Sequence, residues 1–182
     1  YSGLYRGLYS FMCAPQERKD LVLMQRFPKT DTAMSIKGEY GSFTPLQQRI
    51  KEARELFLII GPPGTGKTSF GMLNTLQEEL LEKDSKVLIV SYTNRSVDEI
   101  CDKLYPEIDF IRIGGLSGRA DEYSENYLGD IVTRCTSVTT LKERFSQTRV
   151  IVGTTSSVTA HLPLIQMQRF SLCIVDEASQ IL

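Results

Sequence analysis

The sequence predicts an α/β fold, a parallel sheet with helices on both faces, and three observations carry that prediction. Five short apolar runs, at residues 56–60, 86–92, 110–113, 149–154 and 170–175, alternate with stretches patterned as helices. The middle run, Val-Leu-Ile-Val at 87–90, is apolar without alternation, as expected of a strand buried on both faces. The first run breaks into a glycine-rich loop that leads straight into a helix.

That loop is Gly61, Pro62, Pro63, Gly64, Thr65, Gly66, Lys67 and Thr68, a full match to G-x-x-x-x-G-K-[ST]. Its glycines let the backbone wrap an anion, so that successive N–H groups and the start of the next helix point at phosphates. Lys67 is expected to reach the β and γ phosphates, and the Thr68 hydroxyl to ligate Mg²⁺. Asp176 and Glu177 follow directly on Leu-Cys-Ile-Val at 172–175. Carboxylates emerging at the C-terminal end of a buried strand stand where parallel sheets bind ligands. Asp176 is expected to hold Mg²⁺ through water, and Glu177 to orient and deprotonate the attacking water.

The remaining elements follow in order. Residues 1–43 form a preceding segment with an aromatic and apolar start, in which 21–24 reads as a short strand or a helix face and 28–41 as a linker. Through residue 55 there are nine basic and six acidic side chains, which leaves a nucleic-acid surface and a solvated face both open. Thr44 is expected to cap a helix over 45–55 with Pro45 at its first position, and Gln47 lies in its first turn. After the loop a helix continues to Leu81. A helix over 96–104 with Ser96 as its cap follows the second strand. Residues 114–147 read as an insertion with one or two helices and an acidic patch at 121–130. A helical stretch around 158–167 precedes the last strand, and His161, the one histidine, is expected near a helix end.

Composition narrows the function classes. With 182 residues, 41% hydrophobic and 24% charged, the chain has the size and balance of one globular domain. A net charge of −1 gives no bulk attraction for polyanions, so any nucleic-acid contact rests on a local patch. Four scattered cysteines form no C-x-x-C pair, which argues against zinc and for a reducing, cytoplasmic or nuclear setting. No apolar run approaches the ~20 residues that span a bilayer. Tyr1 at the start, and Leu182 a few residues beyond an apolar strand, lead us to expect an excerpt of a longer protein.

Four stretches together resemble the ordered motifs of superfamily 1 helicases: GPPGTGKT at 61–68, SYTNRSVD at 91–98, VGTTSSVT at 152–159 and VDEASQIL at 175–182. The D-E-A-x-Q form resembles the subclass that moves 5′ to 3′ (subclass B), which includes the RNA helicase of nonsense-mediated decay and the replication helicase-nucleases. S-Y-T paired with V-D-E-A-S-Q-I is nearer the latter, which are DNA enzymes. The resemblance implies a RecA-like first motor domain over 44–182, incomplete at its C-terminus, that uses ATP and Mg²⁺ on single-stranded nucleic acid, DNA before RNA. It implies that Gln47 reads adenine, that Ser91, Thr93, Asn94, Thr154 and Thr155 contact the nucleic-acid backbone, and that Gln180 senses the γ-phosphate. It also implies a second motor domain carrying an arginine finger, without which this chain binds nucleotide weakly and unwinds nothing. A kinase or ATPase acting on another substrate, or a nucleotide-gated scaffold, would use the same loop and acids.

Overall fold

Apolar strands bury their backbone polar groups only by pairing, and four of the five runs do so. The computed structural model describes residues 2–62, 64–115 and 122–181. Its sheet comprises β1 (Val87–Ser91), β2 (Phe110–Ile113), β3 (Val150–Thr154) and β4 (Leu172–Val175), in the spatial order β2-β3-β1-β4. Every pairing is parallel, with Ser91 opposite Thr154 and Val90 opposite Val175. The sheet falls within Thr68–Leu182, one of two compact units; the other is Tyr1–Lys67.

Alternation along the strands divides the core of the larger unit between two faces. On one face Val87, Ile89, Phe110, Val150 and Val152 pack with Leu76 of α4 (Leu73–Leu80) and with Val97, Ile100, Cys101 and Leu104 of α5 (Asn94–Leu104). On the other, Val90, Ile111, Ile113 and Ile151 pack with residues of α6 (Leu128–Arg134), α7 (Val138–Gln147), α8 (Thr155–Ala160) and α9 (Leu162–Ile165). Helices therefore lie on both faces, as the alternation of elements predicts, while Cys173 and Val175 of β4 stay exposed. The insertion supplies α6 and α7 and a 3₁₀ turn at Ser124–Asn126. His161 sits between α8 and α9.

The smaller unit holds α1 (Ser2–Met12), α2 (Gln16–Val22) and α3 (Thr44–Glu52). Residues 21–22 close α2, and Leu23 caps it, so this stretch is helical. Most of 28–41 is irregular, and its ends are tied down locally. Arg26 donates to both Glu55 carboxylate oxygens at 2.7 Å, the Lys29 N–H donates to Glu55 at 2.8 Å, and Thr30 bridges to Ala53. The Gln48 amide donates to the Met34 carbonyl at 2.8 Å.

Three expectations about elements are corrected. Residues 56–60 form no strand ladder among the described residues; Leu58 is 70% and Ile60 93% exposed. An apolar run without a neighbour to take its N–H and C=O groups has nothing to hold it in a sheet. Helix α3 starts one position earlier than expected, with Phe43 as cap and Thr44 inside, and stops at Glu52, where Ala53 turns extended. The caps of α5 and α8 are Thr93 and Thr154, so α5 begins at Asn94 rather than Ser96 and α8 at Thr155.

Candidate nucleotide and nucleic-acid site

In the smaller unit the glycine loop has the curl its sequence implies. Gly64 (φ 78°) and Gly66 (φ 79°) are both left-handed, a region that side chains bearing a Cβ avoid. A Cβ on Gly61 would lie 2.9 Å from Thr65 Oγ1, so a side chain there would require the threonine to shift. Thr65 Oγ1 donates to the Pro62 carbonyl at 2.8 Å, and Lys67 Nζ donates to the carbonyls of Gly61 at 2.6 Å and Pro62 at 2.9 Å. The lysine thus lies folded over its own loop. Pro63 lies outside the described residues. Gln47 is in α3 and only 1% exposed.

Chain continuity carries the loop into a π-helical turn, Lys67–Met72, and then into α4. A π turn is rare and favours functional positions. Within the larger unit, Thr68 Oγ1 and Asp176 Oδ1 lie 3.5 Å apart, long for a hydrogen bond, so the hydroxyl and the carboxylate face each other with little mutual attachment. Burial, followed by the neighbouring charge of Glu177, pushes the Asp176 carboxyl above the usual carboxylate range. Two hard oxygen donors with excess negative charge suit Mg²⁺, which binds through one or two protein oxygens and takes the rest from phosphates and water. Among the described residues no group of three or more His, Cys, Asp or Glu is placed to hold a metal ion.

Beyond β4 the chain turns abruptly. Glu177 adopts φ 52°, a left-handed conformation that costs a non-glycine residue about 1–2 kcal/mol. Gln180 closes the 3₁₀ turn Ala178–Gln180; its amide donates to the Glu177 carboxylate at 3.1 Å and its backbone N–H to the Glu177 carbonyl at 2.9 Å. Two hydrogen bonds thus join Gln180 to Glu177.

The backbone-contact candidates divide into buried and accessible groups. Ser91 is 0% exposed and its hydroxyl has no hydrogen-bond partner among the described residues, so a strand of nucleic acid cannot touch it in this conformation. Thr93 Oγ1 accepts from the Ser96 N–H at 3.1 Å and Thr154 Oγ1 from the Ser157 N–H at 3.0 Å. Each is a helix N-cap. Asn94 is exposed and Thr155 half-buried, both at the first helical position beside those caps. Parallel register sets Ser91 opposite Thr154, and the Asp176 N–H donates to the Val90 carbonyl at 2.9 Å. Alternation then turns Thr154, Ser91 and Asp176 to the α4/α5 face at the C-terminal end of the sheet.

Sequence reasoning missed two features. One is the repeated T-x-x-S cap, Thr93 to Ser96 and Thr154 to Ser157, which was legible as a capping pattern. The other is Arg112, wholly buried in β2, which nothing in the sequence distinguishes from a surface arginine.

A parallel sheet with a glycine-rich anion loop and an acidic pair at a strand end defines a nucleotide-binding α/β domain. The AAA domain family matches residues 44–136, just over half of the chain, and the chain belongs to that family, the nucleotide-using domains of superfamily 1 helicases. Among its relatives, the DNA replication ATP-dependent helicase/nuclease JHS1 of Arabidopsis thaliana is 37% identical over 134 residues, 73% of this chain and 10% of that protein. The DNA replication ATP-dependent helicase/nuclease DNA2 of Xenopus laevis is 35% identical over 173 residues, 92% of this chain and 15% of that protein. The protein of that name from Homo sapiens is 32% identical over 156 residues, 84% and 14% respectively. The chain thus spans 10% to 15% of the length of these relatives. No helix among the described residues is long and apolar enough to cross a membrane.

Proposed function

We propose that the chain is the ATP-binding part of a helicase motor that moves along single-stranded DNA. The observation that carries this is the approach of Thr68 Oγ1 to Asp176 Oδ1, directly after a complete G-x-x-x-x-G-K-T loop. In this reading Gly61, Pro62, Pro63, Gly64, Thr65, Gly66, Lys67 and Thr68 bind the phosphates and Gln47 the adenine. Lys67 leaves the Gly61 and Pro62 carbonyls for phosphate oxygens. Thr68 and Asp176 would hold Mg²⁺, which supplies charge neutralisation along the phosphate chain. Glu177 accepts a proton from the attacking water, and Gln180, bonded to it, carries the state of the γ-phosphate onward. Asn94 and Thr155, with the capped turns of Thr93 and Thr154, contact the sugar-phosphate backbone, which positions a strand without reading its sequence. Ser91 supports them from beneath.

DNA is favoured over RNA because the relatives are named for DNA replication. The domain boundary at 44, where the family match begins, separates the motor from a preceding segment. A second motor domain would supply the arginine that completes the cleft. Four free cysteines agree with a reducing intracellular setting. The test is ATP turnover by the full-length protein with and without single strands. Stimulation by single-stranded DNA above that by RNA is expected. Turnover indifferent to both, yet abolished by Lys67→Ala, would favour a kinase or an ATPase with another substrate.

A further inference from the structure

Arginine is almost never wholly buried unless its charge and its donors are matched. Arg112 in β2 is 0% exposed. Its Nε and Nη2 donate to Asp98 Oδ1 at 3.0 and 2.7 Å, its Nη1 donates to the Gly115 carbonyl at 2.8 Å, and its guanidinium lies 4.8 Å from the centre of the Tyr127 ring. Asp98, four residues beyond Asn94 and so on the same side of α5, ties the arginine to the first turns of that helix. On the other side, the same loop touches α8. Gly114, at φ 132°, passes so close to Ser157 that a Cβ there would lie 2.7 Å from Ser157 Oγ, and Ser157 pairs with the Thr154 cap at 2.8 Å.

Stability alone gives little reason for this arrangement. A buried ion pair replaced by apolar groups of like volume is often neutral or better for stability, whereas a fixed fork of donors sets geometry. We propose that Arg112 is a positioning residue for the nucleic-acid contacts: joined to Asp98 and Gly115, it fixes the start of α5, with Thr93 and Asn94, relative to the start of α8, with Thr154 and Thr155. This rests on the nucleic-acid reading given above. Loosening the strut then blurs the relative placement of the two starts without touching the nucleotide loop.

The test uses the full-length protein carrying Arg112→Met with Asp98→Leu, which removes both charges and leaves neither orphaned. Melting temperature, ATP turnover without DNA and the single-stranded DNA concentration for half-maximal stimulation are measured together. The inference expects the first two near wild type and the third raised about tenfold, the size of a positioning effect. Arg112→Lys, which keeps the charge and loses the fork, is expected to fold and fall between; it decides the matter if the double variant does not fold. Half-saturation equal to wild type in either folded variant overturns the inference, as does a loss of DNA-free turnover in step with DNA response. A wild-type protein indifferent to DNA overturns the functional reading and this inference with it. A responsive wild type with unaltered variants overturns the inference alone.

Discussion

Lys67 holds two loop carbonyls in the described conformation, and any polyphosphate must draw it away from them. Charge-assisted hydrogen bonds contribute about 1.5–3 kcal/mol each, so Lys67→Ala is expected to weaken ATP binding roughly tenfold to a hundredfold in a calorimetric titration and to abolish turnover. Glu177→Gln, by contrast, leaves binding near wild type and lowers turnover about 10²-fold or more, the range for loss of a general base. These two residues were legible because a motif names them. Asp98 was not, since a helix-surface acid and the partner of a buried arginine look alike until the strand that carries Arg112 is in place. Burial also sets reactivity. The Cys101 thiol, 0% exposed and pushed up to about 12 by its apolar surroundings, is expected to resist maleimide at pH 8, where the exposed Cys13 is labelled, as peptide mass mapping will show.

Among elements, the N-caps carry a separable expectation. Thr93→Ala removes the acceptor for the Ser96 N–H and is expected to cost about 1 kcal/mol, lowering Tm by about 3 °C, with Thr93→Ser restoring it. Asn94→Ala is expected to leave Tm unchanged, because an exposed first-turn residue supports no packing, and, on the proposed function, to weaken DNA binding. The strands at 87–91, 110–113, 150–154 and 172–175 were legible because their apolar runs end where Gly, Pro or polar residues break them. The run at 56–60 met the same pattern and pairs with nothing among the described residues, since periodicity reports a wish for burial and says nothing of whether a neighbour is present. The start of α5 was misplaced for the opposite reason: Thr93 and Ser96, three apart, both fit a cap, and only backbone geometry selects the first.

At the scale of the molecule, the larger unit raises its Asp176 carboxyl and the smaller unit lowers its Glu55 carboxyl. In the smaller one the Arg26 guanidinium, then the Lys29 N–H, hold the Glu55 carboxyl near 2 against an ordinary 4.5. A depressed carboxylate contributes stability that is complete above its ordinary value and is lost as pH falls towards 2. The amide-exchange protection of Arg26, Phe27 and Lys29, taken against the intrinsic rate at each pH, is therefore expected to fall between about pH 4.5 and 2, and to be low throughout in Glu55→Gln. Parallel topology and covered faces were readable from alternation alone. The division at Lys67 was not, because the loop's sequence speaks for one continuous site. The most direct test of the nucleotide site is a crystal of the protein with a non-hydrolysable ATP analogue and Mn²⁺, the metal located by its anomalous scattering. The account predicts the metal about 2.1 Å from Thr68 Oγ1, between the β and γ phosphates, with Asp176 bound directly or through one water. A metal too far from both residues for a single bridging water, or a triphosphate lying away from the glycine loop, would contradict it.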